Sequence, residues 1–294
     1  MYDYDIKNTM KDGFYMAVKK LTSITAVLIL LFAMLPGCGK TAVLNRSTAE
    51  ALNVENSDVI PADSIQDISK NDRDDYYNLS VIQAITYDCV MYLTAEVQFA
   101  KYAALDYASE KLPLPEYTLY SGSFKDTSVA DDSAVLSTRG GVKTLGFDRE
   151  EGTITYLFQI YGGENSFSKD SSVTLAIDNF LIDGEPFSDF TADLTVSWKL
   201  KNVEQAKRCT RNDGDITVSA ELTPLTICIE TNAVTDGDTA SIAVTTTDGV
   251  SFTPSGVRSV GGRGAATRVT LYLDSAVNTA EIASITFGEY TLEF

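Results

Sequence analysis

Short runs of alternating apolar and polar residues fill most of the chain beyond Tyr76, and Gly, Asp, Asn and Pro separate them. The clearest run is Val90–Phe99, VMYLTAEVQF, in which every second residue from Met91 onward is apolar. A period of two is typical of a half-buried β-strand. Tyr87-Asp88-Cys89 separates this run from Leu79–Ile85 and predicts a turn, so the two runs are expected to form a hairpin.

Further strand-like runs continue through the first half of the chain. They are Tyr117–Phe124, Thr153–Tyr161, Val173–Phe180 and Leu194–Leu200, with turn sequences at Asp148–Gly152 and Asp183–Pro186. Lys101–Leu112 is the one segment with helical character, and Pro113 and Pro115 close it. About seven strands in roughly 125 residues indicate a β-sandwich rather than βαβ units. Trp198 lies in the last of these runs and is expected in the core.

A second set of strands follows a polar, locally basic segment, Lys201–Asn212, which has no hydrophobic period and is interpreted as a junction between domains. The second set comprises Ile216–Leu222, Leu225–Glu230, Ser241–Thr247, Val250–Thr253, Arg268–Leu273, Ile282–Phe287 and Tyr290–Phe294. This pattern predicts a smaller β-sandwich of about 80 residues whose last strand runs to Phe294.

The N-terminal region has the pattern of a secretory signal. Lys19 and Lys20 precede an apolar stretch from Leu21 to Leu35, which is shorter than the roughly 20 residues that cross a bilayer as a helix. At its end, Leu35-Pro36-Gly37-Cys38 resembles the lipobox of bacterial lipoproteins. The resemblance implies cleavage before Cys38 and a lipid on its sulfur, although Pro36 departs from the usual pattern. The alternative is an uncleaved signal anchor.

Residues 1–15 carry three aspartates ahead of the positive region, so translation is expected to start at Met16 rather than Met1. The alternative is that these residues are a short cytosolic tail on a membrane-spanning protein. From Lys40 to about Asp75 the chain is rich in Ser, Asn and Asp, and it is interpreted as a solvated tether. Within it, Ser47-Thr48-Ala49-Glu50 has the spacing of a helix capping box, which predicts a turn or two of helix.

Charge and composition exclude several function classes. The formal net charge is −18, which opposes association with nucleic acid or anionic headgroups. The chain contains no histidine, so catalysis by Ser-His-Asp or Cys-His groups and histidine-ligated zinc are excluded. Acid–base catalysis by paired carboxylates needs no histidine and stays open.

The segments VTLAIDNFLIDGEPF and LTVSWKL, together with Asn78–Phe99, resemble a family of extracytoplasmic proteins of Gram-positive bacteria. Ile216–Phe294 is similar to the second small β-domain that such proteins often carry. The resemblance implies a membrane anchor, an immunoglobulin-like domain of unknown function and no catalytic residues. Some relatives are linked to sigma-factor loci, which implies envelope sensing, but this chain has a lipobox where they have a spanning helix and a cytosolic segment.

Five short motifs carry no strong prediction of a site. Ser166–Lys169 has S-x-x-K spacing without its companion elements, and Gly261–Gly264 lacks the Lys-Ser/Thr of a phosphate loop. Asp213-Gly214-Asp215 and Asp236-Gly237-Asp238 are predicted turns rather than calcium loops, and the pair Asp131-Asp132 is a predicted exposed loop.

Three cysteines remain if Cys38 is lipidated. Cys89 and Cys228 lie in or beside predicted strands and are expected to be small buried residues. A bridge between Cys209 and Cys228 is the alternative.

The sequence thus predicts an all-β protein with two consecutive immunoglobulin-like β-sandwich domains behind a signal or anchor segment and a flexible tether. The predicted bounds are 1–37 for the signal, 38–75 for the lipidated cysteine and tether, 76–201 for the first sandwich and 213–294 for the second. The favoured function is a non-enzymatic lipoprotein on the outer face of the cell membrane that binds a protein or glycan or senses the envelope, without a cofactor. The alternatives are a carboxylate-based enzyme of cell-wall glycan and a calcium-stiffened adhesion module.

Overall fold

The computed structural model describes residues 43–54, 59–99, 112–122, 134–137, 141–163, 166–186, 191–233, 240–263 and 266–294. The lipobox Leu35–Cys38, the pair Asp131-Asp132 and the turn Asp236–Asp238 lie outside these residues, as does nearly all of the predicted helix Lys101–Leu112. Residues 42–294 cluster into one compact unit.

The described elements are one α-helix, two short 3₁₀ turns and nineteen β-strands. The helix α1 is Arg46–Ala51, and the 3₁₀ turns are Ala62–Ser64 and Thr279–Glu281. The first ten strands are β1 Ile65–Arg73, β2 Tyr77–Thr86, β3 Val90–Phe99, β4 Leu114–Gly122, β5 Ala134–Ser137, β6 Val142–Asp148, β7 Thr153–Tyr161, β8 Ser172–Ile182, β9 Glu185–Pro186 and β10 Leu194–Lys199. The remaining nine are β11 Lys207–Asp213, β12 Ile216–Thr223, β13 Thr226–Thr231, β14 Ile242–Thr246, β15 Ser251–Phe252, β16 Gly256–Arg263, β17 Ala266–Leu273, β18 Ile282–Phe287 and β19 Tyr290–Glu293.

The first sandwich consists of two antiparallel sheets. One has the strand order β1-β2-β3-β7-β6, and the other has β10-β8-β4-β5 with β9 paired to β8. Strands β2, β3, β7 and β6 correspond to A, B, E and D of the immunoglobulin fold, and β4, β8 and β10 correspond to C, F and G. The predicted immunoglobulin-like β-sandwich is therefore confirmed, with β1 as an additional edge strand beside strand A.

The second sandwich repeats this topology, except that its described residues contain no counterpart of β9. Its sheets have the orders β11-β12-β13-β17-β16 and β15-β14-β18-β19. When the strands of each sandwich are numbered from its own first strand, the larger sheet has the order 1-2-3-7-6 in both sandwiches. The smaller sheet has the order 5-4-8 in both, and the last strand follows the eighth. The two halves of the folded chain are thus two versions of one architecture, each with an extra strand ahead of strand A.

Each sandwich has its own apolar core between its two sheets. In the first, the rings of Tyr77, Phe99 and Phe180 pack with centroids 4.8 to 5.2 Å apart, and Trp198 joins the same cluster at 4% exposure. The expected core position of Trp198 is confirmed. In the second, Phe287 is fully buried among aliphatic residues of both sheets. Alternation along the strands produces both cores, because every second side chain faces the opposite sheet.

The structure corrects the predicted tether. Ile65–Arg73 is strand β1, and it pairs with β2 from Ile65 opposite Ile85 to Arg73 opposite Asn78. Upstream of β1, the part of the chain that we call the strap, residues 43–60, contains α1 and buries Leu44, Leu52 and Ile60 to 7% exposure or less. A short helix is present as predicted, but it begins at Arg46, so Ser47 lies in its first turn rather than at its N-cap. Leu44, Leu52 and Ile60 pack against the sandwiches, so this part of the chain is not a solvated tether.

The structure also corrects the predicted junction. Lys207–Asp213, the second part of the supposed junction, is strand β11 and pairs with β12 along its whole length. The connection between the sandwiches is therefore reduced to residues 200–206. Even there, Leu200 and Ala206 are buried and Glu204 forms a bridge with Tyr87.

Candidate functional site

A concave polar surface lies on the outer face of the five-stranded sheet of the first sandwich. Two cross-strand rows form its floor. In one row Glu96 of β3 pairs with Thr155 of β7, and in the next row Gln98 pairs with Thr153. The side chains of these positions point away from the core, because Val97, Ile154 and Tyr156 between them are buried in it.

The hairpin that joins β6 to β7 forms the wall of this surface. The larger concavity has a volume of about 740 Å³ and is lined by Glu96, Gly146, Phe147, Asp148, Arg149, Glu150, Glu151, Thr153 and Thr155. A neighbouring concavity of about 440 Å³ is lined by Arg73, Asp74, Asp75, Tyr77, Asn78 and Gln98. Gln98 Nε2 donates to the Glu151 carbonyl at 3.3 Å, which links the two. We call the two concavities together the polar groove.

Local hydrogen bonds hold the wall of the polar groove in place. Asp148 Oδ1 accepts from the backbone N–H groups of Glu150 and Glu151 at 2.8 and 3.2 Å, as expected where an aspartate opens a tight turn. Gly152 completes the turn with φ of 66°, a conformation that favours glycine. The Arg149 guanidinium lies 5.8 Å from the centre of the Phe147 ring, a cation–π contact.

The polar groove is acidic. Six carboxylates line its two concavities, namely Glu96, Asp148, Glu150 and Glu151 in one and Asp74 and Asp75 in the other, against the two guanidinium groups of Arg73 and Arg149. Throughout the described part of the chain, no group of three or more acidic or cysteine side chains is placed to hold a metal ion.

Three carboxylates of the groove lack the shielding of a glycosidase general acid. A general acid in a glycosidase is a carboxyl group shielded from water, which keeps it protonated until it acts. Asp148, Glu150 and Glu151 are exposed, and Asp148 is engaged by two backbone amides. The strand spacing separates the Cα atoms of Glu96 and Asp148 by roughly 12 Å. Glu96 is half-buried and is therefore the most shielded of the four carboxylates that line the larger concavity.

A second feature of the molecule is the contact between the outer sheet faces of the two sandwiches, which we call the joint. The Tyr92 hydroxyl in the first sandwich donates to the Leu225 carbonyl in the second at 2.7 Å and contacts the Thr226 hydroxyl. Its ring packs edge-on against Tyr272 at 6.5 Å. The strap shares this apolar cluster with both sandwiches, since Leu44, Leu52 and Ile60 belong to it.

Buried charges connect the sandwiches beside this cluster. Arg208 of β11 donates from Nη1 to Asp88 Oδ2 at 2.7 Å and from Nε to Glu221 Oε1 at 2.9 Å. The hydrogen bond to Asp88 raises the pKa of Arg208 above its ordinary value. Tyr161 of the first sandwich donates to Glu221 Oε2 at 2.6 Å, and Arg268 stacks over the Tyr161 ring. Asp88 is thus an acceptor that ties the predicted turn of the first sandwich to the second.

The cysteines do not form the bridge that the sequence left open. Cys89, Cys209 and Cys228 are all free thiols, and the burial expected of Cys89 and Cys228 is confirmed. Cys209 pairs with Ala220 of β12 and packs toward the core, whereas Cys228 lies one strand further on, opposite Glu221. Strands two apart are separated by about 9.5 Å, which is too far for a disulfide.

The other motifs fall on structural positions. Ser166–Lys169 is a loop in which Phe167 is 1% exposed, so no helix presents its serine. Gly261 lies in β16, which pairs with β17, and Gly214 makes the turn between β11 and β12 with φ of 63°. Among the described residues no helix is both long enough and apolar enough to cross a membrane.

Comparisons with known proteins do not show a family for this chain. No family model matches the chain, and neither does any curated protein. The crystal structure of the conserved domain protein from Bacillus anthracis is 10% identical, covers 75% of each chain and has a TM-score of 0.46. A chimeric titin Z1Z2 functionalized with a KLER exogenous peptide from decorin is 11% identical, covers 69% of this chain and 83% of that chain, and has a TM-score of 0.15. Likenesses at these TM-scores carry no argument about function.

Proposed function

We propose that this protein is a non-enzymatic binding module, anchored to the outer face of a bacterial cell membrane through a lipid on Cys38, and that the polar groove holds its ligand. The lipobox Leu35–Cys38 and the resemblance to extracytoplasmic Gram-positive proteins support the location. The groove is the single observation that carries the binding function. Its two concavities, of about 740 and 440 Å³, are lined mainly by carboxylate, amide, hydroxyl and guanidinium groups.

The composition of the groove favours a cell-wall glycan as its ligand. Protein partners are usually held by buried aromatic and aliphatic anchors at the centre of an interface. The groove has one half-buried phenylalanine, Phe147, and its floor is polar. Glutamate, glutamine and threonine side chains on adjacent strands provide paired acceptors and donors for neighbouring hydroxyl groups. Its acidity also suits a sugar that carries an ammonium group and opposes an anionic polymer.

Sedimentation with purified, insoluble cell-wall glycan tests the binding function. The wild type is expected to co-sediment. Glu96→Gln is expected to lower the affinity about tenfold, because it removes a hydrogen bond made by a charged group. Gln98→Ala is expected to lower it about tenfold as well, because it removes the side chain that fills this position of the groove. Glu293→Gln is the matched control, because Glu293 is also an exposed strand residue but lies in the second sandwich. Equal binding by the wild type and both groove variants would remove the groove from the proposal.

The location has its own test. Membrane fractionation and intact mass of the mature protein are compared for the wild type and Cys38→Ala. The wild type is expected in the membrane fraction with an acylated Cys38 at its N-terminus, and the variant is expected to stay unprocessed. A wild-type protein that keeps residues 1–37 is instead a signal-anchored protein, and the lipoprotein part of the proposal fails while glycan binding can still be measured.

The second candidate function is hydrolysis of the same glycan, since Glu96 and Asp148 line one groove. The two candidates differ in the products of the sedimentation experiment. Binding alone leaves the glycan intact, whereas hydrolysis releases new reducing ends into the supernatant. Release that is abolished by Glu96→Gln and kept by Glu293→Gln would replace the binding function with the enzymatic one.

A further inference from the structure

The strap lies between the two sandwiches and contacts both. On the side of the first sandwich, the Asn45 amide donates to Gln83 Oε1 at 2.9 Å and Gln83 Nε2 donates to the Val43 carbonyl at 3.0 Å. The hydroxyl groups of Thr48 and Thr94 are 2.8 Å apart and both residues are buried. The strap thus lies along the outer face of the larger sheet of the first sandwich, next to the joint.

On the side of the second sandwich, Asn53 Nδ2 donates to the Asp274 carbonyl at 3.1 Å. The apolar side chains of the strap belong to the same cluster as Leu225 and Tyr272, the two residues that the second sandwich contributes around Tyr92. Removing the strap would expose that cluster to water on one side. The packing of the joint therefore includes the strap as a third component.

The strap is held less firmly than the element that follows it. Its described residues, 43–54 and 59–60, contain no strand. A few side-chain hydrogen bonds attach it, together with three buried apolar residues and two partly buried ones, Ala49 and Val54. Strand β1 begins at Ile65 and is attached by a backbone ladder to β2. Segments with few backbone hydrogen bonds to the rest of the protein open at a lower free energy than ladders do. The strap is therefore expected to open at a lower free energy than β1.

We propose that the strap is a releasable latch: docked, it fixes the two sandwiches against each other, and undocked, it lets the joint open. Val43 follows Cys38 by five residues in the sequence. If Cys38 carries the anchor, as proposed above, any load between the membrane and a ligand in the polar groove passes through the strap before it reaches β1. The latch would then report tension at the cell surface as a change in the joint.

Hydrogen exchange of the full chain in detergent solution tests the latch. Leu52→Asp is expected to raise exchange roughly tenfold both in the strap and in joint peptides that cover Glu204–Arg208 and Thr223–Cys228. Val43→Asp is the control, since Val43 is in the same segment but is 71% exposed. Exchange in β8 and β18, which lie in the two cores, is expected to stay unchanged. Leu44→Ser is a milder second variant should Leu52→Asp fail to fold.

Two outcomes would overturn the latch. If exchange becomes faster in the strap and stays unchanged in the joint, the strap shields the apolar cluster from water but does not hold the two sandwiches together. Equal acceleration in β8 and β18 would mean a general loss of stability. None of these readouts involves Cys38, so failure of the lipid anchor and failure of the latch are separable.

A pulling experiment tests the load path. With handles placed before Val43 and at the C-terminus, the full chain is expected to lengthen by roughly 8 nm in a first, low-force step, which is the extended length of residues 43–64. Both sandwiches should unfold at higher force, and Leu52→Asp should lose the first step. Absence of a separate first step in the wild type would show that the strap is not released before β1.

Discussion

At the residue scale, the joint depends on a few polar groups that are buried together. The carboxylate of Asp88 has a side-chain exposure of 2% and accepts from Arg208 and from the Ala206 backbone amide. A charge at such a site is tolerated only while its partners are present, because desolvation is otherwise uncompensated. Arg268 and Glu230 form a contrasting pair with side-chain exposures of 40% and 45%, where water screens the attraction.

Arg208→Met is expected to lower the free energy of unfolding by about 3 kcal/mol or more, because it leaves Asp88 and Glu221 without their cation. Arg46→Met, which removes the exposed ion pair between Arg46 and Glu50, is the matched control and is expected to change it by less than about 1 kcal/mol. Urea titration followed by circular dichroism measures both. Similar losses in the two variants would show that the Arg208 network is no more important than a surface pair.

The buried thiols predict a decline in stability at alkaline pH. Burial raises the pKa of Cys228 from 9.0 to about 11, and it raises the pKa of Cys209 to about 11 as well. A thiol whose pKa is higher in the folded state than in the unfolded state contributes stability that is fully present at pH values below its unfolded-state pKa. This contribution is lost as the pH rises from about 9 through about 11. The urea midpoint is therefore expected to fall across this window, and less steeply in Cys228→Ala. Identical slopes would exclude Cys228 as a contributor.

At the element scale, the strands that sequence reasoning recognised are those whose inward side is apolar. The predicted Val90–Phe99, Thr153–Tyr161 and Ile282–Phe287 match β3, β7 and β18 residue for residue. Strands β1 and β11 were missed because most of their inward side chains are polar, and in each strand a single inward residue, Ile68 or Cys209, packs against the core. The polar side chains of β1 face the open backbone edge of β10, and those of β11 face the open backbone edge of β19. At these positions hydrogen bonds to the backbone take the place of apolar contacts.

Polar side chains of β1, and of Asp74 just after it, form hydrogen bonds with backbone groups at the open edge of the smaller sheet, in β10 and just before it. Lys70 Nζ donates to the Ser197 carbonyl at 2.7 Å, Asp72 Oδ2 accepts from the Thr195 amide at 2.7 Å, and Asp74 Oδ2 accepts from the Asp193 amide at 3.0 Å. An open sheet edge invites pairing with other chains, and these contacts cover that of β10. Arg211 of β11 reaches the Thr291 carbonyl of β19 in the same manner.

Asp74→Ala is expected to lower the free energy of unfolding by roughly 1–3 kcal/mol, because Asp74 also accepts from the amides of Tyr76 and Tyr77 and all three donors lose their acceptor. Asp75→Ala, an exposed neighbour, is expected to stay within about 0.5 kcal/mol of the wild type. Thermal unfolding of the two variants side by side is the measurement, and equal melting temperatures would contradict the role of Asp74 at the edge.

At the scale of the whole molecule, the sequence indicated the all-β class and the immunoglobulin-like sandwiches but neither the joint nor the groove. Both depend on which outward-facing residues of different strands become neighbours, and that depends on the register. Glu96 and Gln98 were recognisable as the polar side of β3, whereas their partners Thr153 and Thr155 are about 55 residues further along the chain. The strap was missed for a related reason, since its buried residues are too few to form a periodic pattern.

The central claim, that the polar groove of the first sandwich is the ligand site, is tested most directly by footprinting of carboxyl groups. The full-length protein is labelled with a carbodiimide and an amine in the presence and absence of solubilised cell-wall glycan, and modification is read by mass spectrometry. We expect the glycan to protect Glu96, Glu150 and Glu151 about tenfold while Glu289 and Glu293 of the second sandwich stay fully labelled. Unchanged labelling in the groove with protection of Glu289 or Glu293 would place the ligand on the other sandwich and contradict the claim.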